Sequence, residues 1–241
     1  MCGLYSFRRS PEEARGLFRY KAEAQFPPRP YVAPGQPIGI VRIEHGEPSF
    51  ALVRWGLIPG WTKELKPGKP LINARAETVL EKASFRNAMR RRRCLVPADG
   101  FYEWRGEPGR KQAFHIHRPD HALFAFAGLW ESWMSADGSE IDSACIVTTA
   151  ANATVAAVHD RMPVVIPPER YADWLCSDEV SAEDAAKLLV PAAEDFFVIE
   201  PTVIERTPRP VRPAPAPAPA TASAPSPASP PKSVGEQLKL F

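Results

Sequence analysis

Nowhere in these 241 residues do apolar side chains run for the 18 or so positions that a membrane-spanning helix needs. The start of the chain has no basic stretch followed by an apolar block and a small-residue cleavage site, so secretion is not expected either. A cytoplasmic protein without membrane contact follows. Cysteine is scarce: Cys2, Cys94, Cys145 and Cys176 stand far apart, with no CxxC pair. That spacing excludes a zinc knuckle and a disulfide scaffold, and neither a metal nor a cofactor is expected. There is no glycine-rich loop to cradle a phosphate and no internal repeat. A bulk charge of one sign is missing too. The net charge is +2, and Arg209, Arg212, Lys232 and Lys239 against Glu236 leave residues 1–207 close to −1. Nucleic acid is therefore not announced by overall charge. It is suggested only by local clusters: Arg8 with Arg9, Arg15 with Arg19 and Lys21, and Arg86 followed by Arg90 to Arg93. A solvated helix end would favour the last of these equally well.

What is present is an ordinary globular balance, 44% hydrophobic and 24% charged, on a chain long enough to bury a real core. Ser10-Pro11-Glu12-Glu13 supplies a cap, a first-turn proline and first-turn acids for a helix to about Tyr20. Strand-like runs follow in PIGIVRI, SFALVRW, RCLVPA, FYEWR, AFHIHR, ALFAFAGLW, ACIVTT and FFVIE. Helices are expected near 84–92, 168–175 and 181–189, the last opened by Ser181 with Asp184 three residues on. Strands and helices do not alternate, and several strands are separated only by turn signals such as ADG and PGR. The fold class is therefore α+β, with a mixed, mainly antiparallel sheet or barrel-like core and flanking helices. Trp55, Trp104, Trp130 and Trp174 are expected in the core, and Cys94, Cys145 and Cys176 as structural thiols.

Four segments place a polar residue among apolar neighbours beside turn chemistry: MCG at the start, LINARAET (71–78), ADGFYEW (98–104) and HDRMP (159–163). Singly, Asn73 could cap a turn, Glu103 could face solvent and His159 could be a satisfied core histidine. Together with Cys2 they supply a nucleophile, a carboxylate, an imidazole and an amide, the set needed around a reacting carbonyl.

MCG, YVAPGQ (31–36), RWGLIPGW (54–61), INARAET with Phe85-Arg86, RRCLVPADGFYEW (92–104), FAGLWE (126–131) and TTAAN…HDRMPVVI (148–166) occur in order across residues 2–170. This combination resembles the SOS response-associated peptidase family, abasic-site processing proteins that crosslink to damaged single-stranded DNA. The resemblance implies that fold and that partner. It also implies a covalent link through Cys2 (an imine, then a thiazolidine) once Met1 is removed, by self-cleavage or otherwise. Glu103 would shuttle protons, His159 would serve the sugar oxygen and the reverse reaction, and Asn73 would orient Cys2. Arg75, Arg86 and Arg161 would contact phosphate, and Trp61 and Pro34 would stack or wedge against a base. Leu4 departs from the pattern, since many members carry arginine there. A peptidase or amidohydrolase built on the same N-terminal cysteine, or a non-catalytic DNA-binding adaptor, are the alternatives. A protein that acts once on one strand has no evident need for a partner subunit, so a monomer is expected, associated with the nucleoid and the replication fork.

From Thr207 the composition changes to ten prolines between Pro208 and Pro231 with no aromatic residue. The expected organisation is a folded domain over 1–206 and a disordered, extended spacer over 207–231, reaching up to about 70 Å. Residues 232–241 are expected to be a binding peptide, since QLKLF resembles the pentapeptide, usually written QL(S/D)LF, that docks bacterial proteins on the sliding clamp; the alternative is a tail that folds back on its own domain. Gln237, Leu238, Leu240 and Phe241 would make that contact.

Overall fold

The computed structural model describes residues 2–21, 26–65, 68 and 70–204. Met1, the proline-rich stretch and the QLKLF peptide lie outside the described residues. In chain order the elements are β1 (Tyr5–Phe7), α1 (Pro11–Phe18), β2 (Arg29–Val32), β3 (Pro37–Glu44), β4 (Glu47–Trp55), β5 (Asn73–Arg75), α2 (Arg86–Arg91), β6 (Arg93–Ala98), β7 (Gly100–Arg105), β8 (Gln112–His117), β9 (Phe124–Met134), β10 (Glu140–Ala150), α3 (Ala153–Ala156), β11 (Arg161–Pro163), β12 (Val165–Ile166), α4 (Tyr171–Leu175), α5 (Ala182–Ala186) and β13 (Val198–Thr202). The expected α+β class with a mainly antiparallel core holds, and the strands dominate.

Two sheets make the core. In the larger, β10, β4, β3, β6 and β9 are hydrogen-bonded in that order, and β9 pairs back onto β10, which closes a five-stranded barrel. Closure removes the exposed edges of these strands. The β10–β4 and β10–β5 pairings are parallel and the rest antiparallel. The second sheet runs β13-β8-β7-β1-β2, antiparallel throughout. Aromatic rings join the two. Tyr5 of β1 meets Trp55 of β4 at 5.3 Å and Phe126 of β9 at 6.1 Å, edge to face, and Phe101 of β7 meets Phe126 at 6.0 Å. Offset and edge-on pairs of this kind add about 0.5–1.5 kcal/mol each to their area burial.

Local chemistry explains the element ends. Ser10 accepts the Glu13 N–H while the Glu13 carboxylate accepts the Ser10 N–H, a complete capping box. The helix then stops at Phe18, short of Tyr20, because Arg19 turns into the left-handed region at φ 55°. The hairpin between β3 and β4 turns on His45 and Gly46, at φ 52° and 80°, the two positive values that a tight twisted hairpin needs. Ser181 caps α5 as expected, accepting the Asp184 N–H.

Several expectations need correction. Trp55 and Trp174 are buried, but Trp104 and Trp130 are only half-buried. Trp130 packs against the edge of the core and also lies with the Arg42 guanidinium 4.0 Å from its ring centre and Arg92 at 5.6 Å, shielding these cations. Cys94 and Cys145 are buried, whereas Cys176 is half-exposed. The arginine run divides: Arg90 and Arg91 are exposed, but Arg93 is buried. Arg93 Nε donates to the Trp174 carbonyl at 2.5 Å, and its terminal nitrogens donate to the carbonyls of Met89, Val180 and Cys176. It ties α4 and the following loop to β6 and has no free face for DNA.

Candidate active site

β1 is short, yet it pairs with β7 at Tyr5–Phe101 and Ser6–Gly100, and the Tyr102 N–H donates to the Leu4 carbonyl at 2.9 Å. The pairing therefore carries back toward the N-terminus and lays residues 2–4 beside Tyr102–Trp104. The alternation of β7 turns Phe101 and Glu103 inward and Tyr102 outward. Cys2 and Glu103 are consequently neighbours on the inner face, 1% and 3% exposed.

Asn73 reaches the same place from the barrel. It opens β5, which pairs in parallel with β10 at Ile146. The preceding Ile72 carbonyl accepts both the Ile146 N–H (3.0 Å) and the Trp55 indole N–H (3.0 Å), which fixes the strand on two sides. Asn73 Nδ2 donates to the Cys2 carbonyl at 2.9 Å.

His159 follows α3, its N–H donating to the Val155 carbonyl at 3.0 Å. The Arg161 N–H donates to His159 Nδ1 at 3.0 Å. Because that nitrogen accepts, the neutral ring carries its proton on Nε2. The Asp160 carboxylate lies equally close to Nδ1 but is 88% exposed, and the backbone bond sets the tautomer.

The electrostatics of the cluster follow from burial. The Glu103 carboxyl is held above its usual range, chiefly because the charged form is desolvated, with His159 pulling the other way. The Cys2 thiol is pushed far up, first by burial and then by the Glu103 charge, so it stays S–H. Tyr5, edge-on to Trp55, has its hydroxyl buried beside Cys2, a neighbour that nothing in the sequence signalled.

The structure thus brings Cys2, Asn73, Glu103 and His159 into one cluster. The other expected residues sit around it unequally. Arg75 is exposed at the end of β5, two residues beyond Asn73. Arg161 is two residues beyond His159 but forks onto Glu77, at 2.5 and 2.9 Å, and also donates to the Thr148 carbonyl at 2.7 Å. Any phosphate reaching it competes with that carboxylate. Pro34 occupies the second position of the turn 33–36, with Gly35 at φ 82° third. The Gly35 N–H donates to the Trp55 carbonyl and the Trp55 N–H to the Gln36 carbonyl, docking this turn on the end of β4. Trp61 projects from the next loop, 67% exposed. Arg86 opens α2, exposed, on a helix that packs against β6 and β9. Leu4 is half-buried and contributes its carbonyl to β7. Among the described residues no group of three or more His, Cys, Asp or Glu side chains is arranged to hold a metal.

The chain as a whole has counterparts elsewhere. The family model described as SOS response associated peptidase (SRAP) matches residues 1–204. The abasic site processing protein YoqW of Bacillus subtilis is 36% identical over 214 residues, covering 87% of this chain and 96% of its own. The abasic site processing protein YedK of Escherichia coli is 32% identical over 194 residues, covering 78% and 85%. Among solved structures, a protein from Bordetella bronchiseptica is similar at a TM-score of 0.73 and 29% identity, over 84% of this chain and all of that one. One from Bacteroides thetaiotaomicron matches at 0.73 and 25% identity, over 83% and 91%.

Proposed function

The chain belongs to the SOS response-associated peptidase family, and from that membership we propose that it processes abasic sites in single-stranded DNA by capturing them covalently on Cys2. The observation that carries the reading is the placing of Cys2 between Asn73, which holds its carbonyl, and the buried Glu103.

Removal of Met1 turns Cys2 into a 1,2-aminothiol. Its α-amine has a reference pKa of about 7.7–8.0, so a useful share is neutral near pH 7.5, where a lysine at about 10.4 is not. The ring-opened abasic sugar is an aldehyde. The amine lone pair attacks its carbon and gives a carbinolamine; protonation of the hydroxyl and loss of water leave an imine. Glu103, whose carboxyl burial raises above the usual carboxylate range, is suited to deliver that proton and to take one back. The Cys2 S–H then adds across the C=N bond, sulfur to carbon and hydrogen to nitrogen, closing a five-membered thiazolidine. A thiol kept protonated by burial favours this amine-first order and is poorly suited to the thiolate attack of a cysteine peptidase. His159, with Nδ1 accepting from the backbone, presents Nε2–H as a donor for the sugar oxygen and for reversal.

The test is a denaturing gel of purified protein with a single-stranded oligonucleotide bearing one abasic site. A shifted band that survives heat and detergent, and that disappears in Cys2→Ala, supports the reading. Peptide hydrolysis without a shift overturns it. The terminal QLKLF extends the proposal to tethering at the sliding clamp, which would raise the local concentration of the protein at replication forks. A peptide of residues 232–241 should bind the bacterial clamp, and absence of binding by calorimetry removes that extension.

A further inference from the structure

The outer face of the second sheet carries a polar construction of its own. Across β7 and β8, Tyr102 stands opposite His115 and Gly100 opposite His117. The rings of Tyr102, His115, His117 and His121 form a row, with successive centroids 4.8, 4.6 and 4.4 Å apart and tilts of 27°, 28° and 15°. His115 and His117 are buried, while His121, at the end of the row, is exposed. The glycine at position 100 makes room for this row: a Cβ there would come within 2.3 Å of His115 Nε2.

Beside the row is a cavity of about 380 Å³ lined by Arg8, Arg9, Asp99, His115 and His121. The single proton of the Ser6 hydroxyl goes to Asp99 Oδ1 at 2.5 Å, so the His115 Nε2–H, 3.3 Å away, donates to Ser6 Oγ. The Arg8 backbone N–H donates to the other Asp99 oxygen. The carboxylate is thus occupied by protein donors. Arg8 gives one of its five N–H groups to the Tyr102 hydroxyl at 2.5 Å, and Arg9 donates to the His121 carbonyl at 2.6 and 3.1 Å. Burial holds the His115 imidazole neutral, down to about 3, with Arg8, His117 and His121 pushing the same way. The fixed positive charge of the cavity is therefore that of two guanidiniums, facing the engaged Asp99, while Arg9 also pairs with the exposed Glu13 carboxylate at 3.5 Å, so a phosphate reaching Arg9 competes with that carboxylate.

We propose that this cavity binds the phosphate of a nucleotide unit whose base stacks on His121, as a subsite separate from the Cys2 cluster. Guanidinium forks match phosphate geometry, and the exposed end of a stacked row is a platform for one more planar ring. The unit could belong to a polynucleotide strand or be a free nucleotide, the chemistry being shared.

The test uses the full chain with undamaged oligothymidylate, AMP and inorganic phosphate, read by the imidazole resonances of His115 and His121. All three should shift His115. AMP and the oligonucleotide, which carry a base, should also shift His121. Arg9→Gln should weaken oligothymidylate binding and lower its salt slope by about 0.7. His121→Asn, which accepts the observed φ of 55°, should lose oligothymidylate affinity by about five-fold or more while leaving the phosphate response intact. Both variants should crosslink an abasic oligonucleotide at saturation like the parent. Tighter binding of oligothymidylate than of AMP identifies a strand as the source, and equal binding a free nucleotide. Unshifted His115 and His121 at millimolar phosphate and AMP, with parental oligothymidylate binding in both variants, overturns the inference. Failure to crosslink would count against the Cys2 chemistry and not against this subsite.

Discussion

The two faces of β7 make opposite uses of burial. On the inner face Glu103 is assembled with Cys2, Asn73 and His159 from four separate stretches of chain, and burial raises its carboxyl toward the neutral acid. On the outer face the His115 row is built mostly from adjacent strands of one sheet, and burial lowers an imidazole toward the neutral base. Both faces disfavour charge, as desolvation must. They differ in what surrounds the neutral group. Outside, rings stack face to face and Asp99 is saturated by Ser6 and Arg8. Inside, a thiol and a carboxyl, two groups capable of bond-making and proton transfer, share one small space. The outer face fixes a neutral ring among packed rings, whereas the inner one sets a thiol beside a carboxyl, the pairing that the proposed chemistry needs.

The strongest way to break that contrast is Glu103→Gln. The amide keeps the shape and removes the transferable proton, so crosslinking to an abasic oligonucleotide should slow by about 10²-fold or more, with an unchanged melting temperature. An unchanged rate would make the inner carboxyl as structural as the outer histidines.

Next in size is Gly100→Ala. The added methyl would sit 2.3 Å from His115 Nε2. That ring cannot swing aside, because Tyr102 and His117 hold its two sides. A loss of about 1–3 kcal/mol on chemical denaturation is expected, and a neutral result would mean the row is loosely packed.

How much of this could be read from sequence differs between the faces for the same reason. AFHIHR places two histidines two residues apart on a strand, which is enough to put them on one face; their stacking partners Tyr102 and His121 needed the register of β7 with β8 and the turn after it. The inner cluster depends on β1 pairing with β7 and β5 pairing with β10, both across large sequence separations. Residue chemistry near turns nominated Cys2, Asn73, Glu103 and His159, but not their meeting. The long strands were legible from their β-branched and aromatic runs. The three-residue strands β1, β5 and β11 were not, because a stretch that short carries no period and is a strand only by virtue of its partner. Arg93 misled for a related reason: a run of four arginines looks uniform, yet β6 begins within it and turns one of them into the core.

An effect smaller at each pH unit, spread over a wide window, should appear in the pH dependence of stability. In the unfolded chain His115 takes a proton below about 6.5, and in the folded protein only near 3. Between these values the unfolded state binds the extra proton, so this contribution is complete above pH 6.5 and is lost as the pH falls toward 3. His115→Gln, which cannot titrate, should flatten the stability curve across that window by up to about 1.4 kcal/mol per pH unit. Parallel curves for the two proteins would show that the outer imidazole is not held neutral by folding.

The smallest expected change is also the one that discriminates most finely between the two faces. Tyr5 lies on β1 with its ring edge-on to Trp55 and Phe126, and its hydroxyl is buried with no hydrogen-bond partner among the described residues. Burying an unpaired hydroxyl carries a desolvation cost, and Tyr5→Phe replaces it by an apolar edge of nearly the same shape, a change that is near neutral or stabilising while the ring contacts are kept. If the hydroxyl is only a packing imperfection, the variant should be as stable as the parent or up to about 1 kcal/mol more so, with crosslinking unchanged. A stabilised protein that crosslinks several-fold more slowly would instead give the hydroxyl a place in the inner site, as a donor waiting beside Cys2 for the oxygen of an arriving aldehyde.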